Sequence, residues 1–263
     1  MINKPQNLEE IKDFSLKIIK EAGDILLKNF NQVRLEYYKG AQDVCTNLDI
    51  KVEDFIIKKI QKKYPDHNIL SEERAKINGT SNYTWVIDPI DGSKHYLRGL
   101  PLFCISLALL QNKDIVFGVV LNPVSGELFF AQNGKGAFSN NKKIEVSKEN
   151  KIKNSLLCLD VSNFSNFEKY QKQIKKIFEN FYRVRILGIG SLSLCYLAKG
   201  AFDAYLNIGK APKIFDIAAA LLIVKEAGGK ISDYNGEKIS LNNLKPIVAS
   251  NNNIQSQILN LIN

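Results

Sequence analysis

The sequence contains no apolar run long enough to cross a bilayer. Its longest apolar runs, 102–110 and 218–224, fall far short of the roughly 20 residues that a membrane-spanning helix needs. The first seven residues also lack the apolar segment that a secretory signal requires. These two absences predict a cytoplasmic protein with no membrane partner.

Cysteine is sparse, and its positions follow no metal-binding pattern. Cys45, Cys104, Cys158 and Cys195 are widely spaced, lie in or beside apolar segments and form no C-x-x-C pair. We therefore expect four buried free thiols.

Arginine is also scarce, since only five of the 36 basic residues are arginines (34, 74, 98, 183 and 185). The formal charge of +9 suggests an acidic partner, either nucleic acid or a phosphorylated metabolite. However, the lysines alternate with acidic residues, which is typical of a solvated surface, and there is no zinc-finger spacing or arginine-rich tract. A nucleic-acid partner is therefore not expected.

The hydrophobic pattern predicts one compact body of helices and strands, with two lobes. In the first lobe, 1–145, we expect helices at 8–30 and 49–63, a strand at 84–87 that leads into a loop, and antiparallel strands at 103–110, 115–121 and 127–131. In the second lobe, 146–263, strands at 155–161, 182–187 and 202–206 alternate with helices at 165–180, 191–199 and 216–227.

Carboxylates at the edges of apolar runs are the candidate site residues. They are the pair Glu72-Glu73, the motif Asp88-x-x-Asp91-Gly-Ser, and Asp216 within the run I-F-D-I-A-A-A. Buried carboxylates need cations or hydrogen-bond donors, and oxygen ligands without His or Cys suit Mg²⁺. One ion could be shared by Asp88 and Asp91.

The residues that follow this motif could bind phosphate. Gly92 permits a close backbone approach, and a helix beginning at Ser93 would offer free N–H groups to an anion. Taken singly, these features have structural alternatives. Asp88 and Asp91 could form an Asx-turn before a capped helix, Glu72 and Glu73 could lie in a solvated loop, and Asp216 could be a helix N-cap.

Four ordered motifs together resemble the inositol monophosphatase family, within the superfamily of lithium-sensitive, magnesium-dependent sugar phosphatases. They are D-V-C-T-N-L-D at 43–49, L-S-E-E at 70–73, W-V-I-D-P-I-D-G-S at 85–93, and F-D-I-A-A-A at 215–220 with E-A-G-G at 226–229. The resemblance implies a layered αβαβα sandwich in the α/β class, a homodimer, and two to three Mg²⁺ ions.

The resemblance also implies roles for individual residues. Glu72, Asp88 and the Ile90 carbonyl match the ligands of one ion, and Asp88, Asp91 and Asp216 match those of a second. Asp49, supported by Thr46, would pair with Ser93, and together with Glu72 this pair would orient a metal-activated water for attack on phosphorus. The implied substrate contacts are Asp91, Gly92, Ser93, Arg185, Gly190, Asn207 and Asp216.

Departures from the family pattern leave the substrate open. Ser93 and Phe215 replace a commoner Thr and Trp, which are mild changes. The stretch that begins at Asn207 differs from animal inositol phosphatases and is more similar to archaeal members that also hydrolyse fructose 1,6-bisphosphate. There, Lys210 and Lys213 could contact a second phosphate or could be surface lysines. For His95, a place on the helix surface is favoured over catalysis.

These observations predict magnesium-dependent hydrolysis of a phosphate monoester on a small metabolite. Inositol 1-phosphate is the leading substrate, with fructose 1,6-bisphosphate as a further one. Two alternatives remain, a 3′-phosphoadenosine 5′-phosphate phosphatase and a non-catalytic RNA-associated protein that retains the fold.

Overall fold

The computed structural model describes residues 7–32, 34–40, 43–162 and 167–263. Within these ranges the helices are α1 (Leu8–Asn29), α2 (Asn47–Lys63), α3 (Ser93–Leu97), α4 (Phe167–Asn180), α5 (Gly190–Ala198), α6 (Ile214–Glu226) and α7 (Gln255–Ile262). A single 3-10 turn lies at Ile152–Asn154. None of these helices combines the length and the apolar character that crossing a membrane requires.

The strands in the described part of the chain fall into three sheets. A two-stranded antiparallel hairpin is formed by β1 (Leu35–Gly40) and β2 (Asp43–Thr46). A seven-stranded sheet follows the chain order of β3 (Asn68–Ser71), β4 (Tyr83–Asp91), β5 (Cys104–Gln111), β6 (Asp114–Asn122), β7 (Glu127–Gln132), β8 (Ala137–Ser139) and β9 (Lys142–Ile144). A five-stranded sheet has the order β11-β10-β12-β14-β13, from β10 (Leu156–Ser162), β11 (Arg183–Arg185), β12 (Ala204–Gly209), β13 (Lys230–Asp233) and β14 (Ile247–Ser250).

The helices and the two large sheets stack as five layers. Helices α1 and α2 pack on one face of the seven-stranded sheet, and α5 and α6 lie between its other face and the five-stranded sheet. Helices α4 and α7 cover the outer face of the five-stranded sheet. Strand alternation produces this order, since Trp85 and Ile87 face α1 and α2 while Val86 faces α5 and α6. The expected αβαβα sandwich is confirmed.

One glycine permits the close packing of the central layer. A Cβ atom at Gly118 in β6 would lie 2.7 Å from the carbonyl oxygen of Ala219, and real Cβ atoms do not approach backbone that closely. Glycine at this position therefore lets α6 approach the seven-stranded sheet, which in turn sets the depth at which the N-terminus of α6 meets the end of β4.

Most of the long elements predicted from the sequence are present, with shifted ends. The helix expected at 8–30 is α1, the antiparallel meander is β5-β6-β7, and the C-terminal elements alternate as predicted. The first two residues of the helix expected at 165–180 lie outside the described residues. All four cysteines are free and buried, as expected.

One local expectation was wrong, since the loop expected after position 87 is instead the continuation of β4 to Asp91. The strand expected at 202–206 is present with shifted ends, as β12 at Ala204–Gly209. The division into lobes 1–145 and 146–263 follows the membership of the two large sheets, but as a domain boundary it stays a prediction.

Candidate functional site

The two aspartates of the D-P-I-D motif reach one face of the sheet because β4 contains a bulge. Asp88 pairs with Ser106 and Asp91 with Cys104, so β4 has one residue more than β5 across this interval. A regular strand would direct side chains three positions apart to opposite faces. Pro89 fits the bulge because it has no N–H to donate to the ladder. After the bulge, Ile90 packs toward α1 and α2, and Asp91 lies beside Cys104 on the side of the central helices.

Three carboxylates from different elements meet at this end of β4. Glu72 follows β3, Asp88 lies in β4, and Asp216 lies in the first turn of α6. Each offers one oxygen, and the three oxygens lie within 4.8 Å of one another. All three ligand atoms are carboxylate oxygens, which suit a hard cation such as Mg²⁺. The Glu-Asp-Asp cluster therefore has a donor set that fits a divalent metal.

Without a cation, this cluster resists full ionisation. Burial, together with the charge of Glu72, raises the pKa of Asp88 well above its usual range. The same two causes raise the pKa of Asp216 to about 7, partly offset by Lys213. A bound cation would remove this penalty because it compensates the charges that repel one another.

Asp91 is held beside the cluster by a backbone donor. The N–H of Ser191, near the start of α5, donates to Asp91 Oδ2 at 2.7 Å, and burial raises the pKa of the Asp91 carboxyl well above normal. The Asx-turn considered from the sequence is present, since Ile90 N–H donates to Asp88 Oδ1 at 3.0 Å. However, no side chain caps α3, so Asp91 is not the helix cap of the structural alternative.

Asp49 and Ser93 form a buried hydrogen-bonded pair next to the cluster. Ser93 Oγ lies 2.6 Å from Asp49 Oδ1 and 2.8 Å from the Ile90 carbonyl oxygen. The hydroxyl and the N–H of Thr46 both donate to Asp49 Oδ2. Burial raises the pKa of Asp49 to about 6, although these hydrogen bonds lower it. The predicted pairing of Asp49 with Ser93, and the support from Thr46, are therefore present in the geometry.

Gly92 adopts a conformation that other residues rarely adopt. Its φ angle is +96°, and a Cβ atom would lie 3.0 Å from the carbonyl oxygen of Leu102. Helix α3 begins at the next residue, Ser93, as the phosphate-loop hypothesis requires. The turn therefore needs glycine for both its φ angle and its clearance from the segment before β5.

A buried acid beside the site that was not predicted from the sequence is Glu53, one helical turn after Asp49 on the same face of α2. Its carboxylate is fully buried and accepts hydrogen bonds from Ser71 Oγ at 2.8 Å and from Glu73 N–H at 2.9 Å. Burial raises its pKa to about 7. Glu53 thus holds both neighbours of Glu72. An acid within the apolar stripe of Val52 and Ile56 was the available sequence signal.

Lys213 contacts a candidate metal ligand. Its ammonium lies 2.8 Å from Glu72 Oε1, and its backbone N–H donates to Asp216 Oδ2 at 3.1 Å. The side chain of Glu72 is only 10% exposed and that of Lys213 is 40% exposed. The sequence suggested a contact with a second phosphate for Lys213, and in this structure the ammonium instead pairs with Glu72.

The remaining predicted residues are spread around the site. Asn207 is buried in β12 opposite Asp160, and Gly190 opens α5, where an added Cβ would lie 3.5 Å from the carbonyl oxygen of Asp216. Arg185 is exposed at the end of β11, where its guanidinium donates to the carbonyl of Val184. No contact joins Arg185 to the carboxylates among the described residues.

Two other candidates have contacts of a different kind. The hydroxyl of Tyr37 donates to a carboxylate oxygen of Glu73 at 3.3 Å. His95 is half-buried in α3, and burial lowers its pKa.

Comparison with known proteins gives a consistent result. A model described as the inositol monophosphatase family matches residues 7–263. The chain is 34% identical over 252 residues to the fructose-1,6-bisphosphatase/inositol-1-monophosphatase of Thermotoga maritima, and the match covers 95% of each chain. It is 34% identical over 225 residues to the protein named Nus factor SuhB of Xylella fastidiosa, covering 84% of this chain and 81% of that one. The crystal structure of the extragenic suppressor protein suhB from Bartonella henselae is similar with a TM-score of 0.91 at 28% identity, covering 96% of this chain and 98% of that one.

Proposed function

Because the chain belongs to the inositol monophosphatase family and is a phosphoric monoester hydrolase, we propose that it acts on the phosphate of a small polyol. The leading substrate is inositol 1-phosphate, and fructose 1,6-bisphosphate is the second. Both activities appear in the name of the similar Thermotoga protein.

The observation that carries the proposal is the Glu-Asp-Asp cluster, with three buried or partly buried oxygens within 4.8 Å. The family is metal-dependent, and we propose that two to three Mg²⁺ ions bind here. Glu72, Asp88 and the Ile90 carbonyl would hold one ion, and Asp88, Asp91 and Asp216 a second. Bound there, the ions would neutralise charge on the phosphoryl oxygens and on the attacking and leaving oxygens.

The chain's own residues would orient the attacking water. With a pKa of about 6, Asp49 is mostly ionised at neutral pH and accepts a hydrogen bond from the Ser93 hydroxyl. Ser93 Oγ then has a lone pair left to accept a hydrogen bond from water. Glu72 would accept a hydrogen bond from the second O–H of that water, which directs a water lone pair toward phosphorus. Such positioning supplies a large part of catalysis in phosphoryl transfer.

The N-terminus of α3 would hold the phosphate. Gly92 lets the backbone approach the anion closely, and the first N–H groups of a helix have no intrahelical partner. On the leaving-group side, Asn207, Gly190 and Arg185 are the proposed contacts, and Lys210 would serve a second phosphate. We further propose that the enzyme is a cytoplasmic homodimer.

The direct test is phosphate release from a substrate panel. Inositol 1-phosphate, fructose 1,6-bisphosphate and 3′-phosphoadenosine 5′-phosphate would each be incubated with the protein, with Mg²⁺ present or chelated. We expect Mg²⁺-dependent release that is fastest from inositol 1-phosphate. Fastest release from the nucleotide would overturn the polyol assignment but keep the site.

A site variant separates failure of the site from failure of the substrate choice. Asp88→Asn removes one cluster charge and should abolish release from every substrate, whereas Asp114→Asn at the exposed start of β6 should not. If Asp88→Asn retained full turnover, the site assignment would be wrong. Strong, salt-dependent retention of RNA by the inactive Asp88→Asn protein would instead favour the non-catalytic alternative.

A further inference from the structure

A basic cavity lies on the opposite side of the five-stranded sheet from the central helices. It has a volume of about 530 Å³ and opens between α4, the end of α7 and the turn after β13. Its apolar floor includes Tyr170, Tyr234 and Ile262, which belong to the core beneath α4 and α7. The size falls within the usual range of small-molecule sites, roughly 300–1,000 Å³.

Four lysines line this cavity. Lys169, Lys172 and Lys176 follow one another at intervals of three and four residues, so they project from one flank of α4. Lys245 faces them from the segment before β14. Lys175, which also belongs to α4, does not line the cavity and pairs with Glu179.

The lining contains one carboxylate, Asp233, and both of its oxygens already accept hydrogen bonds from the protein. Asp233 Oδ2 accepts from Lys245 Nζ at 3.0 Å, while Oδ1 accepts from the N–H groups of Asn235 and Glu237 at 2.9 Å each. In the described part of the chain, no carboxylate pairs with the three α4 lysines. The cavity therefore concentrates positive charge that the protein itself does not neutralise.

We propose that this cavity binds a small metabolite that carries two or more phosphate groups. Several ammonium groups around one concavity repel one another, and a compact polyanion relieves this repulsion while making charge-assisted hydrogen bonds. Lysine binds phosphate as a flexible point charge, so the lysines can adjust to phosphates at different spacings. The apolar floor and the limited volume favour a small molecule over a nucleic-acid strand.

The cavity is separate from the candidate active site, and one strand connects them. None of the clustered carboxylates lines the cavity. The hydroxyl of the cavity residue Tyr234 donates to the backbone carbonyl of Asn207 at 2.8 Å, and Gly209 at the end of β12 also lines the cavity. The inference does not depend on the substrate proposed above.

Binding can be measured directly by isothermal titration of the full chain with tripolyphosphate, in EDTA and at physiological ionic strength. Metal-free conditions prevent chelation of Mg²⁺ by the probe and keep the acidic active site repulsive to anions. We expect saturable binding of one equivalent, with inorganic phosphate binding at least tenfold more weakly. Equal affinity for the two probes would overturn the requirement for two or more phosphates.

Charge-matched variants test the location. Lys172→Gln/Lys176→Gln should weaken tripolyphosphate binding at least tenfold. Lys58→Gln/Lys62→Gln, on the exposed face of α2, makes the same change in net charge and should leave affinity within twofold. All four positions are exposed, so both proteins should fold, which circular dichroism would verify. Equal weakening by both pairs, an unaffected cavity variant, or no binding to the wild type would each overturn the proposal.

Discussion

Lys213→Met should make the protein bind Mg²⁺ more tightly, although the residue lies beside the proposed metal site. In the structure, the Lys213 ammonium lies 2.8 Å from Glu72 Oε1 and partly compensates the cluster. A cation that binds to Glu72 would compete with this ammonium for the carboxylate. Methionine keeps most of the length of the side chain but removes the competing charge.

The size of the effect follows from the pair's geometry. At an effective dielectric constant of 20, two unit charges 2.8 Å apart attract by about 6 kcal/mol. Desolvation and side-chain ordering offset most of this, and because Lys213 is 40% exposed, we expect a net contribution of about 1–2 kcal/mol. That corresponds to about 5- to 30-fold in metal affinity.

Two measurements check the free energy that the Lys213–Glu72 ion pair contributes. Isothermal titration of metal-free protein with Mg²⁺ should give a lower dissociation constant for Lys213→Met than for the wild type. Thermal unfolding in EDTA should show a melting temperature lower by about 2–8 °C, at about 2–4 °C per kcal/mol for a chain of this size. With saturating Mg²⁺ the melting temperatures of the two proteins should differ less, because the bound cation weakens the ion pair in the wild type.

A lysine in an exposed turn provides the control. Lys113→Met, between β5 and β6, removes the same charge far from any described ion pair and should change neither quantity. Weaker Mg²⁺ binding by Lys213→Met would show that the lysine assists the metal. Unchanged affinity together with unchanged stability in EDTA would show that the ion pair contributes nothing, and either result refutes the reasoning.

Three further predictions address the rest of the site. Asp216→Asn should abolish phosphate release yet raise the melting temperature in EDTA, because it removes a carboxylate whose burial and neighbours raise its pKa to about 7. In EDTA the wild type should lose stability as the pH rises from about 4 to about 7, because the raised pKa values of Asp216 and Glu53 mean that the folded state binds more protons than the unfolded state. Melting curves at several pH values would measure this loss. Mg²⁺ should make the melting temperature depend less on pH. Gly92→Ala should cost about 1–3 kcal/mol in urea unfolding and lower kcat, because the φ angle of +96° and the 3.0 Å approach to Leu102 force the phosphate turn to move.

The long elements and the metal motif were accessible from the sequence for a physical reason. Helix α1 and strands β5 to β7 bury regular stripes, and the period of a stripe reports the secondary structure directly. The four motifs carried the family resemblance, which the family match over residues 7–263 confirms. Short strands such as β1, β3 and β13 were missed because four to six residues carry too little periodicity to distinguish strand from loop.

The course of β4 was mispredicted for a related reason. Pro89 within D-P-I-D normally argues against a strand, and the predicted strand therefore ended before it. Pairing with β5 continues across a bulge, and tertiary context therefore overrode the local signal. The sequence marks Glu53 and Lys213 as unusual but could not reveal their partners, which lie 18 and 141 positions away.

The clustered carboxylates come from two layers of the fold, so a bound cation would affect the stability of the protein as well as catalysis. Glu72 and Asp88 belong to the edge of the seven-stranded sheet, whereas Asp216 belongs to a helix of the central layer. The Lys213 ammonium forms an ion pair with Glu72 across the same junction. A divalent cation would bind ligands from both layers at once, so metal binding should tighten the junction between β3, β4 and α6. Asp49 and Glu53 hold the two adjoining loops from one face of α2, and they keep the ligands close enough for one cation to reach them all.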